Sequence, residues 1–157
     1  MDWIRIFPVV RTVWNWWRSR LGLNREHDIA IFKTLDAIAN EPKVDEILNS
    51  RIFTSDLRLE DVHVINDFIR TLRRYENQYL DPTIQLRAGE LAWEMAQLMS
   101  LVARTFFSVP GGWLKFYPDR IDEDVYRAEW KELNEKLEKA WEAYKTYRLA
   151  VKDRLMV

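Results

Sequence analysis

The chain has 157 residues, 48% of them hydrophobic and 31% charged, with 24 Lys+Arg against 25 Asp+Glu for a net charge of −1. This composition excludes a wholly disordered chain, and the neutral balance argues against nucleic acid as a partner held by overall charge. With no cysteine and two histidines, the chain offers no disulfide, no thiolate metal site and no histidine-rich metal centre, so neither metal nor cofactor is expected.

Residues 1–23 read MDWIRIFPVVRTVWNWWRSRLGL. Arg5, Arg11 and Arg18 interrupt the apolar run and no Ala-x-Ala cleavage site follows, so a secretory signal is not expected. No window supplies the roughly 20 apolar residues of a membrane span. The compartment expected is the cytoplasm, with a membrane-peripheral location as the variant. Pro8 suits the first turn of a helix and Gly22 the position just after one, which predicts a first helix near 8–21. In that helix Trp3, Phe7, Val10, Trp14, Trp17 and Leu21 recur at steps of four and three and form one aromatic stripe. Arg11, Asn15, Arg18 and Ser19 fall outside it.

Asn24 can cap a second helix carrying Ile31, Phe32, Leu35 and Ile38 on one face. Pro42 opens a short third piece. Thr54, Ser55 and Asp56 then signal a helix whose apolar spacing runs to about Leu80. Asp81-Pro82, a cap followed by a first-turn proline, opens a long helix through Ile84, Leu91, Met95, Leu98, Val102 and Phe106. The run from Ser108 to Gly112 ends it, and a loop with Trp113, Phe116 and Tyr117 follows.

The last helix is expected over about 122–155. Tyr126, Trp130, Leu133, Leu137, Ala140, Tyr144, Tyr147 and Val151 alternate steps of four and three along it, a heptad seam. Acidic residues crowd its start and basic ones its end, which suits the helix dipole. No stretch alternates long enough to predict a strand. The fold class expected is therefore all-α: an antiparallel helical bundle with a long heptad-patterned C-terminal helix and a Trp-rich amphipathic N-terminal helix. The domain reading is an amphipathic segment over 1–23 leading into a bundle over 24–157.

Catalytic constellations were weighed against this frame. Glu60 and His63 form half of a di-iron Glu-x-x-His signature, but no second copy exists, and His27-Asp28 lacks the further ligands of a metal-dependent phosphohydrolase. The six residues from Arg58 to His63 resemble the arginine–histidine spacing of small all-helical HEPN-type ribonucleases. That resemblance implies a histidine handling a ribose proton and an arginine stabilising phosphate charge. Arg20 and His27 meet a permitted spacing too, and Leu59 stands where a polar residue is usual. The chain is assigned to no family on this basis.

The expected function is non-enzymatic: an accessory or adaptor subunit that binds another protein. The expected docking surface is Trp3, Phe7, Val10, Arg11, Trp14, Trp17, Arg18 and Leu21, with Trp113, Phe116 and Tyr117 as a secondary one. The aromatic stripe packing as core is the plain alternative for the first surface, and a lid over the core for the second. A peripheral membrane protein and a ribonuclease using Arg58 and His63 are the functional alternatives. A homo-oligomer or a membrane surface are the other partner classes considered.

Overall fold

The computed structural model describes residues 7–117 and 121–157, with side chains described over 22–117 and 121–157. It is mostly helical. In chain order it has α1 (Phe7–Ile38), α2 (Glu41–Asp45) running into a π-helical turn (Glu46–Ile52), β1 (Leu57–Arg58) and α3 (Leu59–Leu72). A 3₁₀ turn (Tyr75–Asn77), α4 (Pro82–Thr105), β2 (Phe106–Val109), β3 (Trp113–Phe116) and α5 (Glu123–Leu155) complete it.

α1 is one unbroken helix where the sequence predicts two. Gly22 keeps a helical backbone; the glycines with positive φ are Gly111 and Gly112. A glycine inside a helix costs about 1 kcal/mol relative to alanine, and the good helix formers flanking Gly22 offset it. Asn24 is consequently an interior residue, not a cap. The C-terminal half of α1 docks through Ile31, Leu35 and, just past its end, Ala39. Ahead of that half, residues 22–27 are all exposed.

Several helix boundaries follow the sequence closely. Asn40 caps α2 by accepting from the Lys43 amide, Asp81 caps α4 by accepting from Thr83 and Ile84, and Asp122 caps α5. α3 is shorter than predicted. It begins at Leu59, where the Asp61 carboxylate accepts from the Arg58 amide at 3.1 Å, and it stops at Leu72. Arg74 then turns to extended backbone, and the Asn77 side chain takes the Thr71 carbonyl at 2.9 Å.

The all-α expectation also needs a small correction. Three short antiparallel strands form a sheet in the order β1-β3-β2. β2 and β3 make a hairpin with Phe106 opposite Phe116 and Val109 opposite Trp113, while Leu57 of β1 lies opposite Leu114. Gly111 and Gly112 close the hairpin at φ 94° and 78°, a conformation that other residues adopt only with strain. Strands of two and four residues are too short for an alternation pattern to register.

The core lies where α3 and α4 meet α5. Leu133, Leu137, Ala140, Tyr144, Tyr147, Val151 and Leu155 of α5 are all buried. α4 and α5 run antiparallel, with Arg154 bonded to Thr83 at one end and Arg104 to Glu129 at the other. Leu155 does not overhang its neighbours: it is 2% exposed and its carbonyl accepts from Arg25 of α1 at 2.7 Å.

Three buried phenols titrate against the fold. The Tyr79 and Tyr147 hydroxyls bond to each other at 2.5 Å, and the Tyr144 hydroxyl has no hydrogen-bond partner among the described residues. Burial pushes all three well above the ordinary phenol value. The unfolded chain therefore releases these protons near pH ~10 while the folded chain still holds them, so stability falls as pH rises past that point. The urea midpoint is expected to hold steady up to about pH 9 and drop above about pH 10. A Tyr79→Phe/Tyr147→Phe variant should flatten that drop, measured by urea unfolding across the alkaline range.

Candidate functional site

Three regions carry the residues that the sequence singles out. The first is α1. Trp3 lies outside the described residues. Phe7, Val10, Arg11, Trp14, Trp17, Arg18 and Leu21 lie within the α1 backbone, and their side chains are outside the described set. What is described is the way α1 is fixed to the body just beyond them. Asp28 is 1% exposed, and its carboxylate accepts from the Leu80 amide at 2.7 Å and the Asp81 amide at 2.9 Å. His27 Nε2 lies 3.2 Å from the Gln78 carbonyl oxygen. The Arg25 guanidinium donates twice to the Leu155 carbonyl, satisfying an oxygen that the end of α5 leaves without a helical partner. Together these bonds clamp one segment of α1 to the α3–α4 connection and to the last turn of α5.

A second buried aspartate organises the neighbouring corner. Asp61, 2% exposed, takes the Lys43 ammonium at 3.0 Å and lies 3.4 Å from the Arg51 guanidinium, in addition to the Arg58 amide. It ties α2, the π-helical turn and the start of α3 into one unit. Arg51 also donates to Glu46 at 2.9 Å, a bond that holds the Glu46 carboxyl below its ordinary range. The sequence reading places neither aspartate in a site. Their spacing holds the signal, because each falls three or four residues before a buried apolar neighbour.

The second region is the aromatic hairpin. Phe116 is 4% exposed and sits at the centre of an edge-on ring cluster. Its centroid is 5.7 Å from Phe106, 5.0 Å from Tyr117, 5.1 Å from Tyr126 and 5.0 Å from Trp130. Ser55, itself at φ 61°, accepts from the Phe116 amide through its hydroxyl at 2.7 Å. Phe116 is thus a core residue that closes the end of the molecule, and Tyr117 leans on it. Trp113 opens the central strand β3, partly exposed, with the Arg58 guanidinium 4.5 Å from its ring centre. A Cβ at position 111 would stand 3.3 Å from Trp113 Cδ1, so glycine there serves both the turn and the indole's seat.

The third region adjoins the second. Arg58 and His63, with Glu60, Gly111, Gly112 and Trp113, line one shallow cavity of about 670 Å³. The structure does bring the arginine–histidine pair to one surface. The Arg58 guanidinium is nonetheless engaged with the Trp113 ring, and Glu60 stands beside it with opposite charge. Among the described residues no group of three or more His, Cys, Asp or Glu side chains could hold a metal ion. Among the same residues no helix is long and apolar enough to cross a membrane.

Comparison with protein-family models, with curated proteins and with solved structures gives no match for this chain. The site is therefore read from its own geometry.

The two hairpin aromatics should respond differently to truncation. Phe116→Ala is expected to cost about 3 to 5 kcal/mol, as for other buried phenylalanines, whereas Trp113→Ala should cost about 1 kcal/mol or less. Urea unfolding of the two variants checks this.

Proposed function

We propose that the chain is a non-enzymatic accessory or adaptor subunit that binds another protein through the N-terminal half of α1. In this reading the body is an antiparallel helical bundle with the α5 seam in heptad register, and it serves as the platform for that helix. The observation that carries the reading is the division of α1. From Asp28 on, one face of the helix is buried through Asp28, Ile31 and Leu35, residues 22–27 are exposed with Arg25 and His27 tied to the body, and the same helix continues unbroken to Phe7.

A helix held at one end presents its other end in a fixed direction, which reduces the entropy lost on binding. The sequence of that end supplies what such an interface uses. Trp14 and Trp17 are large, stiff anchors for an apolar groove, and Arg11 and Arg18 add charge at the border of the stripe. Charges at the border of an interface act mainly on encounter rate and choice of partner. The partly exposed Trp113 is the secondary contact in this reading, with Phe116 and Tyr117 behind it as support.

The test is capture of partners from the native host by the full chain and by its Trp14→Ala/Trp17→Ala variant. The full chain should retain a specific protein that the variant loses, with the helical circular dichroism of the two unchanged. Equal capture by both would remove α1 as the docking element. Loss of helicity in the variant would assign the stripe to the core, and retention on anionic liposomes in place of a protein would assign it to a membrane.

A further inference from the structure

A cavity at the junction of α1 and α5 lies apart from the hairpin and from the docking half of α1. Lys145, Arg148 and Lys152 recur at steps of three and four, so they share one face of α5. They border a cavity of about 350 Å³ whose apolar wall is Phe32, Leu149 and Val151. That volume falls within the range of small-ligand pockets, roughly 300–1,000 Å³.

The charges around it are unevenly committed. Arg148 donates to Asp36 at 2.6 Å and to Glu41 at 3.3 Å, and its guanidinium lies 4.8 Å from the Phe32 ring centre. It is a fixed strut. Lys145 pairs with Glu142, one turn back along α5 and outside the cavity. Lys152 has no ion pair among the described residues. Below this face lies the Tyr144 hydroxyl, in a residue 1% exposed, with no hydrogen-bond partner among the described residues and with Arg148, Glu41 and Asp36 as charges acting on it. On the open side Leu149 is 60% exposed, an apolar side chain left in water in the same lining as Lys145 and Lys152, with the Lys145 ammonium 5.9 Å from the Trp141 ring centre.

Two cationic heads next to an apolar wall suit a ligand with the reverse arrangement. The Glu41 carboxylate at the rim disfavours a dianion. We propose that this cavity binds a small amphipathic monoanion, a carboxylate on a short alkyl chain, its head between Lys145 and Lys152 and its chain along Phe32, Leu149 and Val151. The same chemistry is offered by a free fatty acid and by the edge of an anionic bilayer. The volume suits the free molecule, so the free acid is the expected ligand. The inference does not depend on the adaptor reading, which concerns the other half of α1.

The experiment is calorimetric titration of the full chain with octanoate, with octan-1-ol as the uncharged counterpart and phosphatidylglycerol vesicles as the bilayer arm. Octanoate should bind saturably at one site. Octan-1-ol should bind at least about tenfold more weakly, and Lys145→Glu/Lys152→Glu should weaken octanoate by at least about tenfold, the scale of two exposed charge contacts. Leu149→Asp provides a second variant at an exposed position, also expected to weaken octanoate, and circular dichroism checks that each variant stays folded. Equal affinity for octanoate and octan-1-ol would overturn the proposal. So would unchanged octanoate binding by both folded variants, or binding to the vesicles with no saturable octanoate site.

Discussion

A single buried carboxylate decides how the two ends of this molecule relate. Asp28 reaches across from α1 to the amides of Leu80 and Asp81, two residues that open α4 and belong to no helix ladder themselves. The acceptor is a buried carboxylate, and hydrogen bonds to a charged group contribute about 1.5 to 3 kcal/mol each. The bond therefore serves three elements at once. It fixes the axial position of α1, it holds the end of the α3–α4 connection against that helix, and it sets Asp81 where its own carboxylate caps α4. Arg25 extends the same joint to the end of α5. The proposed docking function needs a helix whose anchored half cannot slide, and this joint supplies it.

Around that joint the molecule is built from two kinds of contact. Between α4 and α5 the seam is apolar and aromatic, and Tyr79, from the loop before α4, adds a buried hydroxyl bond to Tyr147 at its end. At the corner of α2, α3 and β1 the organiser is electrostatic, with Asp61 buried between Lys43 and Arg51. Buried charges of this sort contribute more to a unique arrangement than to raw stability in some proteins. Here the arrangement they fix is the start of α3, from which Arg58 reaches the Trp113 ring. The hairpin adds a cap of edge-on rings over the end of the core, with Phe116 inside and Trp113 at the rim.

The long helices were legible because their signals are local and redundant. Asp81-Pro82 and Asp122 mark starts through side-chain geometry that any helix needs, and the structure uses both. The buried run from Leu133 to Val151 follows the residues that the periodicity of the last helix picks out. The errors have a common physical cause. Gly22 and Asn24 carry breaker signals worth about 1 kcal/mol, and tertiary docking of Ile31 and Leu35 outweighs them. The apolar spacing through Tyr79 is real, but Asp28 captures the chain at Leu80, so Tyr79 is buried from a loop rather than from a helix. Strands as short as β1 leave no pattern at all; their pairing is set by Ser55 and the hairpin glycines. Asp28 and Asp61 were readable in retrospect. Each stands where the helical step from Ile31 and Leu35, or from Ile65 and Phe68, calls for an apolar residue, and a carboxylate in that place needs partners.

The fixed seat of α1 depends on the Asp28 joint, and replacing that one side chain tests it most directly. Asp28→Ala should lower the unfolding free energy by about 3 kcal/mol, because two hydrogen bonds to a buried charged group are lost. Hydrogen exchange should then show residues 28–38 of α1 losing protection before α4 and α5 do. A change within about 0.5 kcal/mol, the range of an ordinary surface substitution, with α1 protection intact, would contradict the account.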